Sequence, residues 1–154
     1  FARHAANMKG AHTSEVDPQT PFPVIHTMAE QVANIEEKRM GCSMRLGAYR
    51  CRLKQGTIAQ KAYGMRSIHE RHRHRYEVNN EYREKLEKAS MVVSGVHPGR
   101  NLVEIIELKN HPFFIGTQFH PELKSRPLEP HPLFIAFVKA AIKRGAKEIK
   151  PKQH

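Results

Sequence analysis

His120 and Glu122, separated by Pro121, are the pair whose types and spacing best suit chemistry in this 154-residue chain. They close the run Phe113-Phe-Ile-Gly-Thr-Gln-Phe-His-Pro-Glu122. The run opens on three bulky apolar residues, Phe113, Phe114 and Ile115, the composition of a strand covered on both faces. Side chains two apart in an extended segment point to the same side, so His120 and Glu122 are expected to converge. Pro121 fixes φ between them and stiffens the corner. An imidazole beside a carboxylate at the carboxyl end of a strand has the makings of a general base and its orienter. The pattern equally fits a histidine that merely ends a strand.

Such a pair lacks a nucleophile. The chain has two cysteines, Cys42 and Cys51, and neither lies in the Gly-x-nucleophile-x-Gly turn that exposes a reactive atom between strand and helix. Cys42 has no glycine two residues on, and Cys51 sits inside an alternating strand pattern. Both read as reduced structural thiols, and no secretory leader precedes them, so a cytoplasmic setting is expected.

The other candidates are charged. Glu15 and Asp17 lie in a polar stretch with Gly10 and Pro18, where an acid is ordinarily a solvated loop charge. Arg71, Arg73 and Arg75 alternate with His72 and His74, so an extended backbone would put the arginines on one face and the histidines on the other. Three readings compete. The run could be a phosphate or RNA stripe. It could be a metal site, poorly supplied with ligands. Or it could be a strand from which one arginine grips a carboxylate by paired hydrogen bonds. The formal net charge of +11, with eleven histidines besides, favours anionic partners but is spread along the chain. No apolar run approaches the ~20 residues of a membrane helix.

The elements that must position these residues follow from patterning. Residues 1–8 read as the tail of a helix without its beginning, which suggests a fragment of a larger protein. Residues 21–28 form a strand entered through prolines. Residues 29–42 are weakly patterned, a loop or partial helix. Residues 44–53 form a strand with a bend or bulge at Gly47. Thr57 caps a short helix closed by Gly64. Asn79 or Asn80 caps another over 81–89. Strands at 91–95 and 102–108, joined by a turn at 97–101, form an antiparallel hairpin. A second turn at 110–112 leads into the strand before His120. The last helix opens at His131-Pro132, with Leu133, Phe134, Phe137, Val138, Ala141 and Ile142 as its apolar stripe. Residues 144–154 are expected to be a basic, disordered tail.

Several of these stretches together resemble one family. Ser43-Met-Arg-Leu-Gly47, Glu70-Arg-His-Arg-His-Arg-Tyr-Glu-Val-Asn-Asn80, Leu102-Val-Glu-Ile-Ile-Glu107, Gln118-Phe-His-Pro-Glu122 and His131-Pro-Leu-Phe134 are similar to the glutamine amidotransferase domain of the CTP synthase family. The resemblance covers residues 1–143. It implies the class I amidotransferase α/β fold, later portion only: a mostly parallel central sheet flanked by helices, with a small antiparallel part. It also implies a reaction. Glutamine is hydrolysed, and its ammonia passes to a separate synthetase domain. That domain, absent here, uses ATP and magnesium to aminate UTP. GTP activates the glutaminase step, and the intact enzyme is a homotetramer without membrane attachment.

Residue by residue, the resemblance makes His120 and Glu122 the catalytic His and Glu. It makes Glu15, in Thr13-Ser14-Glu15, the acid for the glutamine α-ammonium. It makes Arg75 the cation for the α-carboxylate. The family's elbow cysteine and oxyanion-hole glycine are absent from this chain, so the fragment alone is expected to be inactive. Cys42 and Ser43 depart from the family's Gly-Thr. Residues 29–40 do not keep its GTP-linked charges, and no metal, cofactor or GTP ligand is carried over. The alternative is a non-catalytic basic domain binding nucleic acid or a protein partner; the joint presence of Glu15, Arg75, His120 and Glu122 makes nucleic acid the lesser expectation.

Overall fold

A computed structural model describes residues 1–27 and 44–148. Eight strands lie among the described residues: β1 (His12–Thr13), β2 (Pro23–Thr27), β3 (Arg45–Leu53), β4 (Ser67–His74), β5 (Tyr76–Val78), β6 (Met91–Val96), β7 (Val103–Leu108) and β8 (Ile115–Thr117). The α-helices described with them are α1 (Ile58–Tyr63), α2 (Arg83–Lys88) and α3 (Pro132–Glu148). A five-stranded sheet runs in the order β4-β3-β6-β7-β8, and a three-stranded sheet in the order β1-β2-β5.

The expected mostly parallel sheet is present among the described residues only as the β1–β2 pairing. Every neighbour pair of the larger sheet is antiparallel. The connections explain this: a parallel pair needs a crossover of about a dozen residues or more, whereas β6 and β7 are joined by a short turn. The α/β class stands, with the antiparallel part the larger.

Short-range signals form as expected. The Thr57 hydroxyl accepts from the Gln60 N–H, and Gly64 closes α1 in the left-handed region at φ 69. Asn79 accepts from the Glu81 N–H and caps a 3-10 turn that runs into α2. The β6–β7 hairpin pairs Met91 with Leu108 and Val96 with Val103.

Other expectations fail. Residues 1–8 form turns rather than a helix, with Ala6 and Met8 buried against Leu86 and Met91. Gly47 carries φ 94 without a bulge, because the β3–β4 register is unbroken from Arg45↔His74 to Arg52↔Ser67. Phe113 and Phe114 precede β8 rather than belonging to it, and Phe114 is exposed. They lie in the irregular stretch ahead of β8, where Phe113 packs on Phe137 of α3. The stripe of α3 is divided: Leu133 is buried, while Phe134, Phe137, Val138 and Ile142 are exposed. The helix continues through Glu148, past the expected tail boundary at 143. The expected loop or partial helix at 29–42 lies outside the described residues.

Strand alternation divides the core. From β7, Ile105 joins Cys51, Leu53, Ala59, Ile68, Phe119 and Leu133 on one face, while Ile106 and Leu108 pack with Met91 and Leu86 on the other. Glu107 points to the first face, where its two oxygens accept from the Ile58 and Ala59 N–H groups at 2.8 Å each. A buried carboxylate thus satisfies the free amides at the start of α1. Gly95 lets this core close, since a Cβ there would fall 2.7 Å from Cys51 Sγ.

Candidate active site

The site is built where the chain leaves β8. The Gln118 N–H donates to the Glu104 carbonyl at 2.9 Å, and Phe119 buries its ring in the core beneath. The next amide crosses to the far side of the sheet: the His120 N–H donates to the Arg71 carbonyl of β4 at 2.9 Å. β4 and β8 are the two edges of the five-stranded order, so this bond joins the ends of a curled sheet. Pro121 then opens a 3-10 turn, Pro121–Leu123, and the Leu123 N–H donates back to the His120 carbonyl at 3.1 Å. His120 is therefore fixed by its backbone on both sides.

This turn brings the predicted pair together. His120 Nδ1 lies 2.7 Å from Glu122 Oε1. The convergence comes from the turn at Pro121, not from strand alternation: His120 is extended, but Glu122 is already in the 3-10 turn. An ionised carboxylate only accepts, so Nδ1 carries the hydrogen and Nε2 is the basic nitrogen. The hydrogen bond from His120 holds the Glu122 carboxyl below the usual carboxylate range. Both side chains are partly open to solvent, as a base facing an incoming substrate must be.

Glu15 and Arg75 lie on the small sheet. The Ser14 N–H donates to the Ile25 carbonyl, which places Glu15 just beyond the Ile25 level of β2. Tyr76 is paired with Thr27, which places Arg75 at that same end of β2 on its other side. The register therefore carries Glu15 and Arg75 toward one end of the three-stranded sheet, on either side of β2. An anion and a cation at one sheet end suit a zwitterionic amino acid. Glu15 is exposed and Arg75 half-buried.

Patterning missed the charge network beneath. Arg45 Nη1 donates to Glu77 Oε1 at 3.1 Å, and Arg45 Nη2 donates to Glu104 Oε1 at 2.8 Å. All three residues are buried. The Tyr49 ring covers the guanidinium, 4.6 Å from its centroid. Glu104 and Glu107 interrupting the apolar run at 102–108 were the available signal, because a charge in a buried strand must be paired. The network ties β5, which follows Arg75, to β3 and β7. The alternation places arginines and histidines on opposite faces of β4, and the histidine face is the inner one: Arg71 and Arg73 are exposed while His72 is buried and His74 half-buried. A second cluster joins β4 to α1 and to the turn before α3: Glu70 Oε1 accepts from Tyr63 Oη at 2.9 Å and lies 3.2 Å from His131 Nε2. Burial pushes Glu70 up, but the hydrogen bonds from His131 and Tyr63 outweigh it and hold it below the usual range.

Burial, reinforced by Arg45, pushes His72 down to about 3 and His74 down to about 4. Both are neutral in the fold, whereas an unfolded histidine titrates near 6.5. On acidification the unfolded chain takes up two protons that the fold refuses. Stability from these groups is full above pH ~6.5 and is lost as pH falls toward their folded values. Burial pushes Glu104 up to about 7 and raises Glu77 too, which acts in the opposite direction, but it also lowers His26 and His97, so the histidines outnumber the carboxyls. The urea midpoint should therefore be lower at pH ~5 than at pH ~6.5. An equal or higher midpoint at pH ~5 would mean that the histidines are not buried neutral.

Cys51 is no nucleophile. It is 1% exposed, and burial pushes its thiol up to about 12. Cys42 lies outside the described residues. Among the described residues no group of three or more His, Cys, Asp or Glu is placed to hold a metal ion, and no helix is long and apolar enough to cross a membrane.

With this geometry in view, the family model for "Glutamine amidotransferase class-I" matches residues 23–140. The chain belongs to that family. Its matched region includes the amidotransferase His-Pro-Glu turn and the corner at Arg75. Among curated relatives of this amidotransferase chain, the CTP synthase of Rubrobacter xylanophilus is 58% identical over 148 residues, 96% of the chain. The CTP synthase of Methanothermobacter thermautotrophicus is 53% identical over 145 residues, 94% of the chain. The chain spans 26% of the length of each. The solved glutaminase domain of Trypanosoma brucei CTP synthase, with bound acivicin, superposes with a TM-score of 0.81 at 34% identity, over 92% of this chain and 54% of that one. A GMP synthase protein of Thermoplasma acidophilum shares the fold at a TM-score of 0.50 and 18% identity, over 68% of this chain and 48% of that one.

Proposed function

We propose that this chain is the later part of the glutaminase domain of a CTP synthase. The observation that carries the reading is the His120–Glu122 pair, 2.7 Å apart at the end of an amidotransferase strand, in a chain whose relatives above are CTP synthases. The nucleophile would be a cysteine in the part of the domain that this chain does not span. His120 Nε2 takes the thiol proton, and the thiolate attacks the glutamine carboxamide carbon. The C–N bond breaks, and the imidazolium returns the proton to the departing ammonia. Water then hydrolyses the thioester and releases glutamate. Glu122 orients the ring and supports its cation. Glu15 receives the substrate's α-ammonium and Arg75 its α-carboxylate.

The ammonia would pass to a synthetase domain that aminates UTP with ATP and magnesium, with GTP as activator of the glutaminase step. The complete enzyme would be a cytoplasmic homotetramer, and the chain alone would release no ammonia from glutamine. In the complete enzyme, Arg75→Ala should raise KM for glutamine by about 30- to 100-fold, the loss of a bidentate charge-assisted pair. CTP formation from supplied ammonia should be unchanged. An unaltered KM for glutamine would remove Arg75 from the substrate site. No glutamine-dependent CTP formation by the wild-type enzyme would sink the reading itself.

A further inference from the structure

The hydrogen positions in the buried network can be deduced in sequence. His74 Nδ1 lies 3.1 Å from the Tyr76 carbonyl oxygen, which only accepts, so His74 Nδ1 carries a hydrogen. In the neutral ring Nε2 is then bare. It lies 2.7 Å from His72 Nδ1, which must therefore be the donor. That leaves His72 Nε2 bare in turn. It faces Glu104 Oε2 at 3.5 Å, and neither atom has another hydrogen-bond partner although both are buried. Two facing lone pairs at this separation repel, and a proton on Glu104 Oε2 turns the repulsion into attraction. Glu104 Oε1 is already occupied by Arg45. Glu104 burial, which favours the protonated carboxyl, agrees with this placement.

The chain of donors ends at a particular place. The Tyr76 carbonyl lies immediately after Arg75, at the corner where β4 gives way to β5. β4 accepts the His120 amide at Arg71 and β5 pairs with β2, so this corner links the strand beside His120 to the small sheet beside Glu15.

We propose that Glu104, His72 and His74 form a one-proton relay that fixes the Tyr76 carbonyl and so aims Arg75, making His74 a positioning residue for glutamine. The inference rests on the assignment of Arg75 to the substrate carboxylate. It concerns binding rather than bond-breaking, so its signature is a KM effect.

Two polar variants of the complete enzyme separate positioning from folding. Asparagine places an N–H where His74 Nδ1 stands and keeps the bond to Tyr76. Glutamine reaches instead toward the Nε2 position and gives it up. His74→Gln should raise KM for glutamine about tenfold or more, with kcat and ammonia-dependent CTP formation within about threefold of wild type. His74→Asn should hold KM for glutamine within about threefold. Equal KM values in the two variants would overturn the relay. Loss of ammonia-dependent formation in His74→Gln would assign His74 to folding and overturn it as well. Either result leaves the functional reading intact if Arg75→Ala still raises KM, whereas an inert Arg75→Ala removes the residue being aimed.

Discussion

Replacing His120 by alanine in the complete enzyme should lower glutamine-dependent CTP formation by roughly three orders of magnitude and leave ammonia-dependent formation at its wild-type rate. The geometry gives the reason. His120 Nδ1 is committed to Glu122 at 2.7 Å, which leaves Nε2 as the proton acceptor. Without the ring, the thiol keeps its proton and the leaving amide nitrogen has no donor. Supplied ammonia bypasses both steps. The backbone bond from His120 to the Arg71 carbonyl does not involve the side chain, so the curl of the sheet should survive the substitution. Assaying both nitrogen sources with one preparation is the check. Loss of both activities from a folded enzyme would show that His120 serves the structure or the synthetase reaction. Retention of both would move the proton transfer to another group.

Replacing Arg45 by methionine should destabilise the chain by about 3–5 kcal/mol, because it strands the buried Glu77 carboxylate and leaves Glu104 Oε1 without its donor. Glu77 and Glu104 are 0% and 1% exposed, and each accepts a hydrogen bond from the same guanidinium. Methionine fills much of the volume and stacks on Tyr49, so the loss is electrostatic rather than a cavity. Adding Glu77→Gln to the variant removes the stranded charge and should recover part of the loss. Urea unfolding of wild type, single and double variants measures both effects. A loss below about 1 kcal/mol for Arg45→Met would mean that Glu77 is already neutral in the fold as well. The expected cost is large because Arg45 joins three strands that local sequence does not pair.

Local elements were legible because their determinants are local. Thr57 and Gly64 bound α1 through their own hydrogen bond and backbone geometry. The β6–β7 hairpin follows from two apolar runs and a short turn. The alternation of arginine and histidine in β4 put the two residue types on opposite faces, and the fold decided that the histidine face is the inner one. The errors fall where a neighbour decides. Phe113 and Phe114 have the composition of a buried strand, yet they lie in the irregular stretch ahead of β8, where Phe113 packs on Phe137 of α3. The same holds for the α3 stripe, whose pattern says that one face is apolar but not what covers it.

The sequence by itself determined the chemical inventory: a His-Pro-Glu corner after a strand, an acid at Glu15, a cation at Arg75, and family resemblance strong enough to order them. Turn chemistry and side-chain type act over a few residues, so they can be read without a fold. Only the tertiary structure decided how these parts meet. The bond from His120 to Arg71 closes a sheet across its two edges, and the β1-β2-β5 register carries Glu15 and Arg75 to one end. Burial set Glu104, His72 and His74 side by side beneath the corner at Arg75, with His72 Nδ1 2.7 Å from His74 Nε2. Such facts depend on which strands become neighbours. That choice is made by the whole core, because removing water from a charge forces it to find a partner wherever the fold has put one.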